Sequence, residues 1–369
     1  MASSGYVVAD SDLTLENLME ILAETDKSYK FGTDPSKLKS NPTEKCISEG
    51  KGFASKIYSV TLETETESYS VILKVPSDFF MRSSLEELNS ETHEFNDEQL
   101  VAEHKKNRDM IATIHNREVD FYEFAKKHLE AKHLLVKYFY GEHMIDAEKR
   151  KGLILMEDLS KKNLKEARTA GGLSKNQVLV ITDVMTLIQA RSVLHQEEVI
   201  EHFPICDVLI NALSFYMFSC ADMLRQKGLD WFTPEIAEKG NMLFEVQKKD
   251  KVQLLALLDW QGCHAGSYTT DLAVVMGVTM EPKERRACEK EILEYYMNSM
   301  NSLSDKFVLP YELTYDTVLK SYKHSLIYAT LQMVLSVVTN PNDDIPEEEG
   351  ETEGPLTRRL RCLIEDVEL

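Results

Sequence analysis

Asn241 opens the run G-N-M-L-F-E-V, and Asp259 closes the apolar run L-L-A-L-L-D-W-Q-G. An amide at the start of one short strand and a carboxylate at the end of the next form a ligand pair for magnesium in phosphoryl transfer. An ionised carboxylate that ends a buried strand needs a cation or several donors. In such sites an Asp five residues before the Asn orients the acceptor hydroxyl. Here that position holds Ile236, preceded by Thr233-Pro234-Glu235. The metal end of a phosphotransferase site is written in this stretch, and the acid–base end is not.

Upstream residues could complete the phosphate end. Lys74 lies in V-I-L-K-V, and a lysine inside an apolar strand is costly unless paired. Glu118 sits among Ile114, Phe121 and Tyr122 at helical spacing, so it faces inward with them. A strand Lys and a helix Glu in this order form the pair that positions nucleotide phosphates; read singly, each is a surface lysine or an interface glutamate. Gly50 and Gly52, in G-K-G-F-A-S between two strand signals, allow close backbone approach to a phosphate. An ordinary hairpin turn reads the same way. Met156, Glu157 and Asp158, in L-I-L-M-E-D-L, mark a strand running into an acidic turn, where an adenine ring would meet backbone groups. His195 ends a helix and is assigned to packing; Asp271 is assigned to hydrogen bonding within its segment.

The chain of 369 residues has 43% hydrophobic and 28% charged residues, as in globular proteins. A net charge of −20 (42 basic against 62 acidic residues) argues against nonspecific nucleic-acid binding, which needs a basic patch. Six cysteines without a C-x-x-C pair read as reduced thiols. The N-terminus shows no signal-peptide pattern and no apolar run spans a bilayer, so a cytoplasmic protein without membrane or nucleic-acid partners is expected.

The elements that position these residues follow from periodicity. Leu15, Leu18, Met19 and Leu22 predict an amphipathic helix; 57–62 and 69–75 predict a hairpin. Residues 83–107 are expected as loop or exposed helix, Ile111 to His128 as helix, and Leu134–Tyr140 and Gly152–Met156 as strands. Helices are expected at 175–195, 205–227 and through 269–337, with strands at 242–246 and 252–258. The segments are 1–44, a helical extension; 45–156, a nucleotide-binding part; 157–338, a helical part; and 339–369, an acidic tail. The fold class is α+β, in the two-lobed protein-kinase-like arrangement with a β-rich first lobe and a mainly helical second.

In this order, I-S-E-G-K-G-F-A-S-K-I-Y-S-V-T-L, V-I-L-K-V-P, N-R-E-V-D-F-Y, L-I-L-M-E-D-L, G-N-M-L-F and L-L-D-W-Q-G resemble the CHK-kinase-like (ecdysteroid-kinase-like) family, related to choline kinases and aminoglycoside phosphotransferases. The resemblance runs from about 45 to about 335. It implies ATP and magnesium as cofactors and a small hydroxylated acceptor such as a sterol or amino alcohol. Gly50 and Gly52 would cover phosphates, Lys74 with Glu118 would position them, Met156, Glu157 and Asp158 would form the hinge, and Asn241 with Asp259 would hold magnesium. The family's loop resembles H-G-D-L-W-x-x-N; here Pro234 replaces the His and Ile236 the Asp, and isoleucine can neither accept a proton nor orient a hydroxyl. An impaired or inactive kinase-like protein is therefore expected. The alternatives are an active kinase using Glu235 or Glu238, a chain lacking the segment that encodes the loop, and a non-catalytic interaction module.

Overall fold

The computed structural model describes residues 2–48, 54–93, 95–129, 135–145, 150–160, 164–166, 172–204, 241–247, 251–258, 260, 263, 265–307, 312–339 and 354–367. The chain divides into two compact units, 1–127 with 136–162, and 128–135 with 163–369. The first is built on a sheet and the second is mainly helical, which is the α+β division expected from the sequence.

The first unit holds β1 (Thr43–Cys46), β2 (Ser55–Glu63), β3 (Ser68–Pro76), β4 (Tyr138–Glu142) and β5 (Leu153–Glu157) in the order β1-β2-β3-β5-β4. Every pairing is antiparallel. β3 is central, and side chains alternate across it. Val71, Leu73 and Val75 join one core with Leu15, Leu18, Met19 and Leu22 of α1 (Leu15–Thr25). Those four positions are spaced as one helical stripe, and the Thr14 hydroxyl caps the helix by accepting from the Asn17 N–H at 3.2 Å. Each such side chain contributes roughly 1.5–3 kcal/mol by leaving water. Residues 1–44 are therefore grouped with the sheet unit and help build its core. The opposite face of β3 carries Ile72 and Lys74.

Two further helices complete this unit, α2 (Phe79–Thr92) and α3 (Asp97–His128). The helix expected from Ile111 starts nearly four turns earlier, at Asp97. Its first part is exposed and made of good helix formers such as Glu, Lys, Gln and Ala, so it has no apolar stripe to betray it. The strand expected at Leu134–Tyr140 is displaced to Tyr138–Glu142, with a register shift against β5 between Tyr138 and Tyr140.

The second unit has a sheet of β6 (Leu164–Glu166), β7 (Asn241–Gln247) and β8 (Lys251–Leu258), again antiparallel. β6 went unseen in the sequence because three residues are too short to show alternation. The helices are α4 (Lys175–Leu194), α5 (Gln196–His202), α6 (Thr270–Thr279), α7 (Pro282–Phe307), α8 (Tyr315–Thr339) and α9 (Pro355–Asp366). Gln177 Oε1 accepts from the Ser174 N–H at 2.9 Å at the start of α4. α4 is long and apolar enough to cross a membrane by length and composition. Its Val178, Ile181, Val184 and Met185 are buried, while Asp183 and Gln189 accept from Tyr295 and Tyr296 of α7 at 2.7 and 2.6 Å, as in a core helix. The helix expected at 205–227 lies outside the described residues. Within the expected acidic tail, α9 is a helix that buries Leu356, Leu360 and Leu363.

Candidate functional site

Lys74 pairs with Ile57 of β2 and Ile154 of β5, so its backbone is fixed from both sides. Alternation turns its side chain away from the α1 core. There the ammonium donates to Glu118 Oε2 at 2.5 Å, with side-chain exposures of 9% and 1%. Glu118 stands on the buried stripe of α3 with Ile114, Phe121 and Tyr122, as the spacing predicts. Two charges taken from water to this depth recover their desolvation only through such close pairing. Removing either partner leaves the other exposed to that penalty. A charge-assisted bond of this kind also fixes the lysine terminus at one point on the sheet face.

One turn before Glu118, His115 is also buried, at 2% exposure. Its Nε2 lies 2.8 Å from the Glu142 carbonyl, the geometry of a donated N–H. Burial pushes its pKa down to about 4, against the raising effect of the Glu142 carbonyl and with a smaller push from Lys74. The ring is neutral at physiological pH, and its Nδ1 has no hydrogen-bond partner among the described residues. Gly152 makes room for it: φ is +76°, and a Cβ there would come within 2.7 Å of His115 Nε2. Sequence reasoning missed His115, because a histidine in I-H-N-R-E looks the same whether buried or exposed. Its spacing of three from Glu118 was the available signal.

Met156 is buried beside the Lys74 strand, paired with Ile72. Glu157 is tied twice to the residue just before β4: its N–H donates to the Lys137 carbonyl at 2.9 Å, and its Oε1 accepts from the Lys137 N–H at 2.8 Å. Asp158 turns back on its own unit and accepts from the Ser160 N–H at 2.8 Å and the Ser59 hydroxyl at 3.2 Å. Burial raises its carboxyl, but the hydrogen bonds from Ser160, Ser70 and Ser59 outweigh this and hold it below the ordinary range. The segment is thus a strand end braced by its neighbours.

In the second unit, Asn241 is the first residue of β7 and stands opposite Leu258, the last residue of β8. Asp259 is the next residue in the sequence after Leu258. The side chains of Asn241 and of β8, with Asp259, Gly50, Gly52 and Ile236, lie outside the described residues. Asp271 accepts from Gln189 Nε2 at 3.3 Å, in keeping with the tying role read from the sequence.

The family DUF1679, described as "Uncharacterized oxidoreductase dhs-27", matches residues 15–227 and 238–369. The interval between the two matched stretches is 228–237, which contains Pro234 and Ile236. No curated protein matches the chain.

Proposed function

The chain belongs to the DUF1679 family, and from that premise we propose that it is a kinase-like protein that binds ATP with magnesium and is impaired in phosphoryl transfer. The buried Lys74–Glu118 pair carries this reading. A lysine is a compact point charge with three donors, suited to holding phosphate oxygens. A central strand and a long helix fix it in position, which is where phosphotransferases draw most of their advantage.

An amide and a carboxylate are a fitting donor set for magnesium, which keeps most of its shell for water and phosphate oxygens. Asn241 and Asp259 would hold it, and it would neutralise charge on the transferring phosphoryl group. Lys74 would bind and orient the phosphates, Glu118 would keep the ammonium in place, and Met156 to Leu159 would border the base. The acceptor is a small hydroxylated molecule such as a sterol or amino alcohol. The hydroxyl-orienting position is Ile236, inside the interval that the family match skips. Loss of a positioned acid–base group costs on the order of 10²–10⁴-fold.

The word "oxidoreductase" in the family's description suggests hydride transfer with a dinucleotide. Both described sheets argue against it, since dinucleotide-binding folds rest on a mostly parallel sheet and these are antiparallel throughout.

Phosphate transfer from labelled ATP to a panel of sterols and amino alcohols tests the proposal. Wild type is expected at background and Ile236→Asp above it. Wild-type turnover that Asp259→Ala abolishes would overturn the impairment and establish an active kinase.

A further inference from the structure

His128, His195 and Glu198 form a cluster that the nucleotide reading leaves unused. His128 ends α3 and begins the short segment that belongs to the second unit. His195 is the junction residue, closing α4 and opening α5, and Glu198 lies in the first turn of α5. The spacing H-x-x-E places His195 and Glu198 on one face of a helix. His128 comes from a segment far away in sequence and meets both. Its Nε2 lies 2.9 Å from Glu198 Oε2, and the two imidazoles stack with centroids 3.7 Å apart at 30°. One donor atom from each of the three lies within 4.8 Å of the others, the only such grouping of His, Cys, Asp and Glu among the described residues.

We infer that His128, His195 and Glu198 form a binding site for a divalent first-row transition ion, zinc in particular. Two imidazoles and one carboxylate are a donor set that zinc takes with one position left open. In a tetrahedral site with zinc–nitrogen bonds of about 2.0–2.1 Å, donors stand about 3.3 Å apart. The His128–Glu198 separation of 2.9 Å is near that value and the remaining donor pairs lie within 4.8 Å, so side-chain rotations would seat the ion. Without an ion, His128 is held to Glu198 by that hydrogen bond and to His195 by ring stacking. Glu198 keeps 30% of its side chain exposed and His128 10%, which gives an ion access from solvent. Magnesium, which prefers oxygen donors, is not the ion this set selects.

Cobalt(II) reports the site directly, since zinc is spectroscopically silent and the chain has six cysteines that could compete. Titration of the full, metal-free chain is expected to show one equivalent bound with visible d–d bands and no strong thiolate charge-transfer band. Zinc, but not magnesium, should displace it. Losing an outer-sphere partner alone weakens metal sites about 10–100-fold, so Glu198→Gln and His195→Asn should each weaken binding by about 100-fold or more. Glu198→Gln keeps an oxygen facing His128, and its metal-free melting temperature should stay near that of wild type. Wild-type affinity in both variants, a cobalt spectrum dominated by thiolate, or no binding by wild type would overturn the site.

Discussion

The two units both bury cations, and they use them differently. In the first, Lys74 meets Glu118 on the face of a central strand. In the second, Arg285 and Arg359 are each 1% exposed and lie where α9 meets α6 and α7. Arg359 donates to Glu281 Oε1 through Nη2 at 2.6 Å and Nε at 3.0 Å, and to the Val278 carbonyl at 3.3 Å. Arg358 adds a bond to Glu281 Oε2 at 3.1 Å. Burial raises the Glu281 carboxyl, but Arg359 and Arg358 outweigh it and hold it below its ordinary value. Arg285 binds Asp366, and Arg286 spans Asp366 and Glu365. These planar forks are spent on fastening a terminal helix. Depth of burial is common to both units. Residue type and setting differ: a point-charge donor on a strand face in one unit, fork-shaped donors closing a helix contact in the other.

If that contrast is right, Arg359→Met acts on stability alone. Glu281 loses its main partner, and breaking a buried pair costs about 3–5 kcal/mol. Chemical denaturation should show that loss, while the remaining folded protein binds ATP with magnesium at wild-type strength. Weakened nucleotide affinity would blur the comparison.

The next largest effect is a pH dependence lodged in the first unit. His115 titrates at about 4 when folded and near 6.5 when unfolded, so the unfolded chain binds more protons between those values. Stability should therefore fall as pH drops from about 6.5 toward 4, by on the order of 3 kcal/mol from this group. His115→Gln should flatten that part of a pH-melting profile. An unchanged slope would mean that His115 is accessible to solvent.

The smallest expected stability change comes from replacing the whole first-unit pair. An apolar pair of similar volume often equals or exceeds a buried ion pair. Lys74→Met with Glu118→Leu should unfold within about 1 kcal/mol of wild type, whereas Lys74→Met alone should be distinctly less stable. A large loss in the double variant would make the pair structural, like the arginines.

The Lys74–Glu118 pair was legible because two periodicities point at it: alternation along β3 and a three–four spacing along α3. Neither rule depends on distant contacts. The α9 helix was harder. Leu356, Leu360 and Leu363 repeat at helical spacing, yet they follow the acidic run P-E-E-E-G-E-T-E-G, whose composition reads as a solvated tail. Their burial is a tertiary fact, set by packing against α8 and α6. The His128 cluster was illegible for the same reason, since its members come from segments well separated in the chain. Asn241 was placed by its hairpin signal, and the register opposite Leu258 adds what sequence cannot give.

Calorimetric titration of ATP with magnesium into the wild-type chain and the Lys74→Met, Glu118→Leu double variant tests the central claim most directly. The account predicts saturable binding by wild type and none by the equally stable double variant. Equal binding by both proteins, or no binding by wild type at millimolar nucleotide, would contradict it.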